Sequence, residues 1–449
     1  MRLLEFARRC GGALVGDDAE FAGFATDSRH VTAGALFLCI RGSRVDGHEY
    51  AQQAIANGSA ACLAERTIGG THILVGDIAG ALAAFAASRR AEFQGPVVGV
   101  TGSTGKTTTK EFVAAALSPL GPVLKSAGNK NTEYTSPLVW SELTDAHRAV
   151  VVELAMRGPG QIAHLAGFSR PTIGVVTNIG TAHIEKVGSR EGILNAKSEL
   201  LRALPSDGTA VVWQEDDYLR DLRAGSPCPV RTFGFTPESD CHVLGYRALS
   251  WEKCAVRGRL DGETFEVELA TTGRHQALNA GAAVLAAHSA GVSVRDAVGA
   301  LPKAEMQPMR LQIVPHRGAT VVLDTYNASP DSTVAALRAL ADVPARGRRI
   351  AILGEMRELG DFTESGHRLV GHELAILLLD FAFLTGGPTT FIADEARLSG
   401  YPEDRMQELP ELDIAKVREF LGTIKEGDVV LIKGSRALGL ESALEAVTT

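Results

Sequence analysis

Short apolar runs that end at glycine or polar residues recur along the chain, and they alternate with segments of helical pattern. In the middle of the chain they predict strands at 97–100, 149–152 and 172–176, with helices at 110–117 and 195–201. Beyond residue 309 they predict strands at 320–323, 349–353, 381–385 and 429–432. Strands that alternate with helices are typical of a mostly parallel sheet covered by helices on both faces.

The first 94 residues have a pattern of their own, with predicted strands at 36–40, 60–63 and 73–75 and helices at 50–57 and 78–93. Gln94-Gly95-Pro96 follows as a linker, and the proline-bounded stretch 302–308 marks a second boundary. The chain is therefore predicted to have an α/β fold with three domains: a small N-terminal α/β domain (1–94), a central parallel-sheet domain (95–308) and a C-terminal Rossmann-like domain (309–449).

Composition narrows the class of protein. A length of 449 residues, with 45% hydrophobic and 22% charged residues, is that of a globular protein with ample cores. The net charge of −8 argues against general nucleic-acid binding. The six cysteines lack metal or redox spacing, so we expect reduced, packed thiols. No apolar run resembles a signal peptide or is long enough to span a bilayer, so we expect a cytoplasmic protein without membrane insertion.

The strongest chemical signal follows the strand at 97–100. Thr101-Gly102-Ser103-Thr104-Gly105-Lys106-Thr107-Thr108 leads from that strand into a helix, where loop N–H groups and the helix dipole favour a phosphate. This P-loop predicts nucleotide contacts for Gly102, Ser103, Thr104, Gly105, Lys106, Thr107 and Thr108, with Lys106 on the β- and γ-phosphates and Thr107 on Mg²⁺. Val100 stands where the usual pattern has glycine. The alternative is a glycine-rich turn without a ligand, and Gly-Lys-Thr-Thr between a strand and a helix argues against it.

Polar residues at the ends of neighbouring strands are expected to face this loop, because ligands bind beyond the carboxyl ends of parallel strands. Glu153 is a candidate ligand for a second metal, and His183 in the 177–183 loop is a candidate nitrogen ligand. Asn279 is a candidate partner for a purine edge. Ordinary structural roles are the alternatives for these side chains. A lone histidine in a loop is more often solvated or packed, and Asn279 could cap or pack within its helix. Lys197, in the predicted helix at 195–201, would usually be a surface lysine.

Taken together, the motifs resemble one family, the Mur ligases, which are ATP-dependent amide-bond-forming enzymes of peptidoglycan synthesis. The resemblance covers essentially the whole chain and rests on these stretches: 101–108, Glu153, 177–183, 196–199, Gly273-Arg274-His275 with Asn279, and Asp324-Thr325-Tyr326-Asn327-Ala328-Ser329-Pro330. Within the family it is greatest to the ligases that add D-alanyl-D-alanine, through 128–133, 326–330 and 353–360. Two polar clusters of the first domain, 26–29 and 44–48, have residue types that on their own are typical of turns. They are also similar to the module with which the family binds its UDP-linked substrate.

The resemblance implies an enzyme that uses ATP and Mg²⁺, with two ions expected, to join D-Ala-D-Ala to a UDP-MurNAc-tripeptide through an acyl phosphate. It implies that Lys197 is a candidate for carbamylation and that Lys106, Lys197, His183 and Arg310 are catalytic. Thr107, Glu153, His183 and Lys197 are the implied metal residues, and Asn279, Arg310 and Asp324 bind ATP. The implied substrate residues are Ser28, Arg29, Asp46, His48, Asn131, Tyr326, Asn327 and Lys433. We expect a monomer with small-molecule partners.

Some positions depart from the family pattern. Thr132, Tyr134 and Thr135 differ where the substrate peptide is expected to pass, so the third residue of the tripeptide stays open. A sibling ligase that adds another amine, and a folylpolyglutamate-type ligase, are the nearest alternatives. A P-loop ATPase acting as a switch is the alternative from another class, and it leaves Glu153, His183 and Lys197 without a role. Closure of the third domain on the second is expected to use a hinge at 302–312.

Overall fold

The structure is a computed structural model that describes residues 1–42, 45–128 and 130–445. Arg44 and Asn129, which belong to two of the sequence motifs, and the last four residues lie outside the described residues. The strands form three separate sheets, one for each predicted domain. The predicted α/β class with three domains is therefore confirmed, and the domain limits themselves stay a prediction.

The N-terminal domain is a five-stranded sheet with the order β1-β5-β4-β3-β2, parallel except for β1. Phe6 anchors the first helix on this sheet through contacts with Phe21, Phe24 and Phe85. The strands are β1 (Ala13–Val15), β2 (Phe24–Ala25), β3 (Leu36–Leu38), β4 (Ala61–Ala64) and β5 (His72–Leu74), and the helices are α1 (Leu3–Cys10), α2 (Ala51–Ala56) and α3 (Ile78–Glu92).

The central domain is a nine-stranded sheet with the order β14-β13-β12-β11-β10-β9-β6-β8-β7. Strands β6 to β12 pair in parallel, and β12, β13 and β14 form an antiparallel extension. Every residue of β6 and β8 is buried, which explains their continuous apolar runs.

The strands of this domain are β6 (Val97–Thr101), β7 (Val123–Lys125), β8 (Ala149–Glu153), β9 (Ile173–Val176), β10 (Thr209–Trp213), β11 (Val230–Gly234), β12 (Cys241–Ala248), β13 (Cys254–Leu260) and β14 (Glu263–Leu269). Its helices are α4 (Lys106–Leu117), α5 (Gln161–Ser169), α6 (Ile184–Val187), α7 (Arg190–Arg202), α8 (Leu219–Ala224), α9 (Arg274–Ser289) and α10 (Val294–Ala300).

The C-terminal domain is a six-stranded sheet with the order β15-β16-β20-β17-β18-β19, parallel except for β15. Its strands are β15 (Gln312–His316), β16 (Ala319–Asp324), β17 (Arg349–Gly354), β18 (Phe381–Thr385), β19 (Met406–Leu409) and β20 (Val429–Lys433). Its helices are α11 (Pro330–Asp342), α12 (Thr363–Leu377), α13 (Thr390–Leu398), α14 (Ile414–Leu421) and α15 (Ser442–Glu445). The predicted strands of this region all exist, each within one or two residues.

Within two residues, the hydrogen bonds of the linker between the last two domains pass from the central domain to the C-terminal domain. Gln307 Nε2 donates to Glu111 Oε1 of α4 at 2.9 Å, so the linker is bonded to the central domain up to this point. The carbonyl of Met309 already accepts the N–H of Tyr326 in the C-terminal domain at 3.2 Å. Met309 and Leu311 have left-handed backbone, with φ of 57° and 52°. The chain therefore turns between residues 307 and 311, inside the segment predicted as the hinge.

The state of the cysteines and the character of the helices bear on two predictions made from composition. All six cysteines are buried and free of disulfides. Within the part of the chain that the structure describes, no helix combines the length and the apolar character that crossing a bilayer requires.

Candidate active site

A cleft of about 1750 Å³ lies where the carboxyl ends of the central strands face the C-terminal domain. It is lined from both sides by residues that the sequence singled out: Ser103, Thr104, Gly105, Lys106, Thr107, Thr108, Asn131, Glu153, His183, Asn279, Arg310, Asp324, Tyr326, Asn327 and Lys433. Its lining does not include Ser28, Arg29, Asp46, His48, Gly102 or Lys197. The structure thus brings together the residues expected to meet ATP and those expected to meet the amine.

The phosphate loop is held in shape by the segment that follows β9. Asn178 accepts the N–H of Ser103 on its carbonyl at 3.0 Å and the N–H of Thr104 on Oδ1 at 3.1 Å. Thr177 Oγ1 donates to the carbonyl of Thr104 at 2.5 Å. The loop is therefore preorganised by its neighbour, and the remaining N–H groups at the start of α4 are left for an anion.

Lys106 is the first residue of α4, and its side chain folds back onto the phosphate loop. Its Nζ donates to the carbonyl oxygens of Gly102 at 2.8 Å and Ser103 at 3.2 Å. Burial lowers the pKa of Lys106, the Glu153 charge opposes this shift and the Arg310 charge adds to it. A bound phosphate would replace these neutral carbonyl acceptors with anionic oxygens, so that both partners of each contact would be charged.

Replacing Gly102 with alanine is expected to weaken ATP binding at least about tenfold, which corresponds to roughly 1.4 kcal/mol. A Cβ at this position would overlap Oγ1 of Thr177, and the Gly102 φ of 149° is one that side chains rarely adopt. Isothermal titration with ATP measures the loss. Gly158→Ala is the matched control, because a Cβ there has nothing within 4 Å. Equal affinities for the two variants would contradict the close packing of the loop.

Glu153 ends β8 beside the phosphate loop and is only 2% exposed. Asn131 Nδ2 donates to its Oε1 at 2.9 Å, while its Oε2 is buried and has no hydrogen-bond partner. A buried carboxylate oxygen without a partner is costly, and a cation satisfies it. The donor set fits Mg²⁺ with this carboxylate as a ligand, and it places Asn131 as the group that orients Glu153.

Lys197 lies on α7 and is 1% exposed, not on the surface. Burial, reinforced by the nearby charge of Lys106, holds the pKa of Lys197 well below its usual range. No hydrogen bond or ion pair joins its side chain to another residue within the described ranges. A lowered pKa favours the uncharged amine, which is the nucleophilic form that reacts with CO₂.

His183 lies in the loop between β9 and α6 and contacts the C-terminal domain. Its Nδ1 is 2.5 Å from Oε2 of Glu358, and this contact lowers the pKa of the Glu358 carboxyl. Nε2 is the ring nitrogen left for another ligand. Among the described residues no three His, Cys, Asp or Glu side chains are grouped closely enough to hold a metal by themselves. Phosphate oxygens and water would complete the coordination of Mg²⁺ here, as is usual for this ion.

The C-terminal face of the cleft carries a connected set of polar groups. Lys433 Nζ donates to Asp324 Oδ2 at 2.6 Å and to the carbonyl of Asn327 at 3.0 Å. The Arg310 guanidinium stacks on the ring of Tyr326 at 4.1 Å. Two strand ends, β16 and β20, therefore hold a carboxylate and a lysine side by side, and the linker adds an arginine.

His275 and Asn279 both lie on α9, and His275 is close enough to Asp324 and Lys433 for their charges to act on it. Burial lowers the pKa of His275 to about 4, so its imidazole is neutral near pH 7. Asn279 is buried and lies against Gly105, since a Cβ on Gly105 would be 2.7 Å from Asn279 Oδ1. Its Nδ2 donates to Gln276 Oε1 at 3.0 Å. The described contacts of Asn279 are thus with the loop and its own helix, and contact with a purine stays a prediction.

The first-domain clusters form local turns, as turn chemistry predicts. Asp46 accepts the N–H and Nδ1 of His48 at 3.0 and 2.6 Å, and His48 Nε2 accepts the N–H of Glu65 at 2.9 Å. The His48 side chain is fully buried, with both ring nitrogens bonded. Arg29 is exposed and paired with Asp27, while Ser28 Oγ donates to Gln53. A role of these residues in substrate binding stays a prediction.

Several cleft residues were not predicted from the sequence. The region from 205 to 270 carried no chemical signal, yet Trp213, Glu215, Phe233 and Phe235 line the cleft beside Asn279. Asp331 and Glu358 contact the 180–185 loop from the C-terminal domain. The aromatic residues look like strand core in sequence, and the two acids have partners at least 150 positions away.

Comparison with known proteins places the chain in a family. Residues 20–90 match the Mur ligase family catalytic domain, residues 100–287 the Mur ligase middle domain, and residues 309–436 the Mur ligase glutamate ligase domain. The chain belongs to the Mur ligase family.

The similar proteins include Mur ligases that are named for the addition of D-alanyl-D-alanine. A UDP-N-acetylmuramoyl-tripeptide–D-alanyl-D-alanine ligase from Synechocystis sp. is 35% identical, over 94% of this chain and 91% of the relative. Crystal structure I of MurF from Acinetobacter baumannii matches with a TM-score of 0.88 at 29% identity, covering 99% and 98% of the two chains. MurF ligase from Thermotoga maritima, solved in complex with ADP, matches with a TM-score of 0.80 at 31% identity, covering 94% and 96%.

Proposed function

We propose that this chain is an ATP-dependent ligase that joins D-alanyl-D-alanine to UDP-N-acetylmuramoyl-tripeptide, which gives the UDP-MurNAc-pentapeptide of peptidoglycan synthesis. The observation that carries the proposal is the shared cleft, where the phosphate loop of the central domain faces Arg310, Asp324 and Lys433. The similarity to D-alanyl-D-alanine ligases over nearly the whole chain supports the choice of substrates. The domain limits 1–94, 95–308 and 309–449 are part of this proposal.

Phosphoryl transfer is assigned to the central domain. The γ-phosphoryl group of ATP moves to the terminal carboxylate of the tripeptide, which gives an acyl phosphate and ADP. Two polyanions must meet for this step, so positive charge has to be concentrated at the loop. Lys106 and the N–H groups of α4 stabilise the β- and γ-phosphates, Arg310 approaches the γ-phosphate from the linker, Asn279 holds the adenine and Asp324 the ribose.

The metal residues in this proposal are Thr107, Glu153, His183 and carbamylated Lys197. When bound, Mg²⁺ supplies charge neutralisation on the phosphates and on the carboxylate that they approach. The buried, unpartnered Oε2 of Glu153 and the buried Lys197, whose pKa is lowered, support the assignment. Asn131 is proposed to orient Glu153 through its hydrogen bond, beside the substrate contact that the family resemblance implies.

Amide formation is assigned to the C-terminal domain. The amine of D-Ala-D-Ala attacks the acyl carbon, the C–O bond to phosphate breaks, and the amine gives up a proton as the amide and phosphate form. Tyr326, Asn327 and Lys433 are the proposed contacts of the dipeptide. The UDP moiety is assigned to the N-terminal domain, through Ser28, Arg29, Asp46 and His48.

The test is phosphate release from ATP and Mg²⁺ by the purified protein with UDP-MurNAc-tripeptide, with and without D-Ala-D-Ala. Both diaminopimelate- and lysine-containing tripeptides are tried. We expect release that depends on D-Ala-D-Ala, with one phosphate for each amide formed, and a product heavier by one dipeptide unit in mass spectrometry.

Two other results would contradict the proposal in different ways. Release that responds to a single amino acid with the dipeptide precursor would make the protein a sibling ligase. ATP turnover that does not depend on any amine would identify the protein as a phosphate-loop ATPase. Only the assignment of the phosphate loop and its lysine would then stand.

A further inference from the structure

The loop from 180 to 185 is held by the C-terminal domain at two points. At the first, His183 Nδ1 is 2.5 Å from Oε2 of Glu358, and the N–H of Glu185 donates to the carbonyl of Glu358 at 3.3 Å. At the second, the N–H and Oγ1 of Thr181 both donate to Oδ2 of Asp331 at 2.8 Å. Only the first of these contacts involves a residue assigned to the metal.

The chemistry of the first contact selects one form of the histidine. A carboxylate beside Nδ1 accepts the proton of that nitrogen, so the lone pair of the neutral ring is on Nε2. Histidines that bind metals are usually held in this way, since a carboxylate or carbonyl on the other nitrogen fixes both the tautomer and the ring orientation. Glu358 is thus the right group, on the right nitrogen, to prepare His183 as a ligand.

The backbone at this contact is strained on both sides. His183 and Glu358 each have φ of 64°, in the left-handed region. A residue with a side chain adopts such a conformation at a cost in free energy, and strain of this kind is concentrated at functional sites. The Glu358 side chain is 50% exposed, so its hydrogen bond with His183 contributes little to stability. The contact therefore suits orientation better than it suits holding the fold together.

We propose that Glu358 is a positioning residue, which accepts the Nδ1 proton of His183 across the domain boundary and so presents Nε2 as a metal ligand. Because Glu358 follows β17 of the C-terminal domain, the ligand is complete only while that domain lies against the loop. Metal affinity and domain closure are then coupled, and each favours the other to the same extent. This inference rests on the assignment of His183 to the metal in the proposed function.

The experiment measures Mn²⁺ binding by electron paramagnetic resonance, with Mn²⁺ in place of Mg²⁺. The enzyme is first saturated with a non-hydrolysable ATP analogue and one equivalent of Mn²⁺, and binding of further Mn²⁺ is followed without tripeptide or dipeptide. We expect Glu358→Ala to weaken this binding about 10- to 100-fold, the usual effect of losing such a partner. Glu358→Gln keeps an oxygen that accepts the Nδ1 proton and is expected to restore most of the affinity.

Matched variants separate positioning from general loosening of the domains. Asp331→Ala removes the second contact of the loop without touching His183, and it is expected to weaken Mn²⁺ binding clearly less than Glu358→Ala does, through the loss of domain contact alone. The double variant His183→Ala, Glu358→Ala is expected to bind Mn²⁺ no more weakly than His183→Ala alone, because Glu358 acts through the ring. Small-angle scattering is expected to show that further Mn²⁺ makes the wild type more compact but not Glu358→Ala.

The outcomes distinguish this inference from the proposal beneath it. If His183→Ala weakens Mn²⁺ binding and Glu358→Ala does not, the positioning role is wrong and the metal assignment stands. If His183→Ala itself leaves Mn²⁺ binding unchanged, the assignment of His183 in the proposed function is wrong. If Asp331→Ala weakens binding as much as Glu358→Ala, the effect is one of domain contact in general, and the specific role of Glu358 is overturned.

Discussion

Replacing Lys197 with alanine is expected to lower kcat/KM for amide formation by about a hundred- to a thousandfold, with the fold intact. The reason is the state of this side chain, which is buried, lacks an ion pair among the described residues and has a strongly lowered pKa. A neutral amine adds CO₂ to become a carbamate, whose negative oxygens support a cation where an ammonium group would repel it. Losses of this size are typical when a group that stabilises transition-state charge is removed.

Two measurements check this expectation. Formate or acetate added to Lys197→Ala should restore part of the activity, because the shortened side chain leaves room for a small carboxylate, while the same acids leave the wild type unchanged. Bicarbonate labelled with ¹³C should give a carbamate signal in the NMR spectrum of the wild type and none in the variant. Full activity of Lys197→Ala without added acid would contradict the role of Lys197.

Replacing Lys106 with alanine is expected to reduce both ATP turnover and amide formation at least about a thousandfold, the scale at which cationic groups on a transferring phosphoryl act. Nζ of Lys106 is held against the phosphate loop by hydrogen bonds to the carbonyl oxygens of Gly102 and Ser103. Lys106→Arg is expected to restore little, because the planar guanidinium cannot occupy the position of a compact ammonium group.

The control for Lys106→Ala is binding of the UDP-linked substrate, measured by calorimetry without nucleotide. It should stay within about twofold of the wild type, since that substrate is assigned to the N-terminal domain. Activity within tenfold of the wild type would contradict the phosphate-loop assignment, and loss of both activities together with substrate binding would point to misfolding.

The fold was predictable to the extent that local pattern determines it. The buried strands β6, β8 and β9 read as continuous apolar runs, and the polar residue at each carboxyl end marked the edge where the cleft lies. Gly105 and Lys106 identified the phosphate loop because a tight turn into a helix N-terminus needs those residue types. These signals are contained within a few residues, so the sequence carries them without reference to the rest of the chain.

What could not be predicted depends on contacts between distant segments. His183 and Glu358 are 175 positions apart, and their pairing depends on how two domains meet. Phe233 and Phe235 have the side chains of any strand core, and only their place beside α9 puts them in the cleft. Local pattern alone left Lys197 as a surface residue, the default for a lysine in a helix, and only the family resemblance assigned it to the site.

The hydrogen bonds of the linker determine how far Arg310 would move when the C-terminal domain opens and closes. Gln307 is bonded to the central domain and Met309 to the C-terminal domain, so a swing of that domain has its axis close to residues 308–311. In a rigid rotation, each point sweeps an arc in proportion to its distance from the axis. The backbone of Arg310 lies within residues 308–311, so it is expected to move little, while parts of the domain far from the linker move more. Under the proposed function, the backbone of Arg310 is therefore expected to keep nearly the same place relative to the phosphate loop while the C-terminal domain opens and closes.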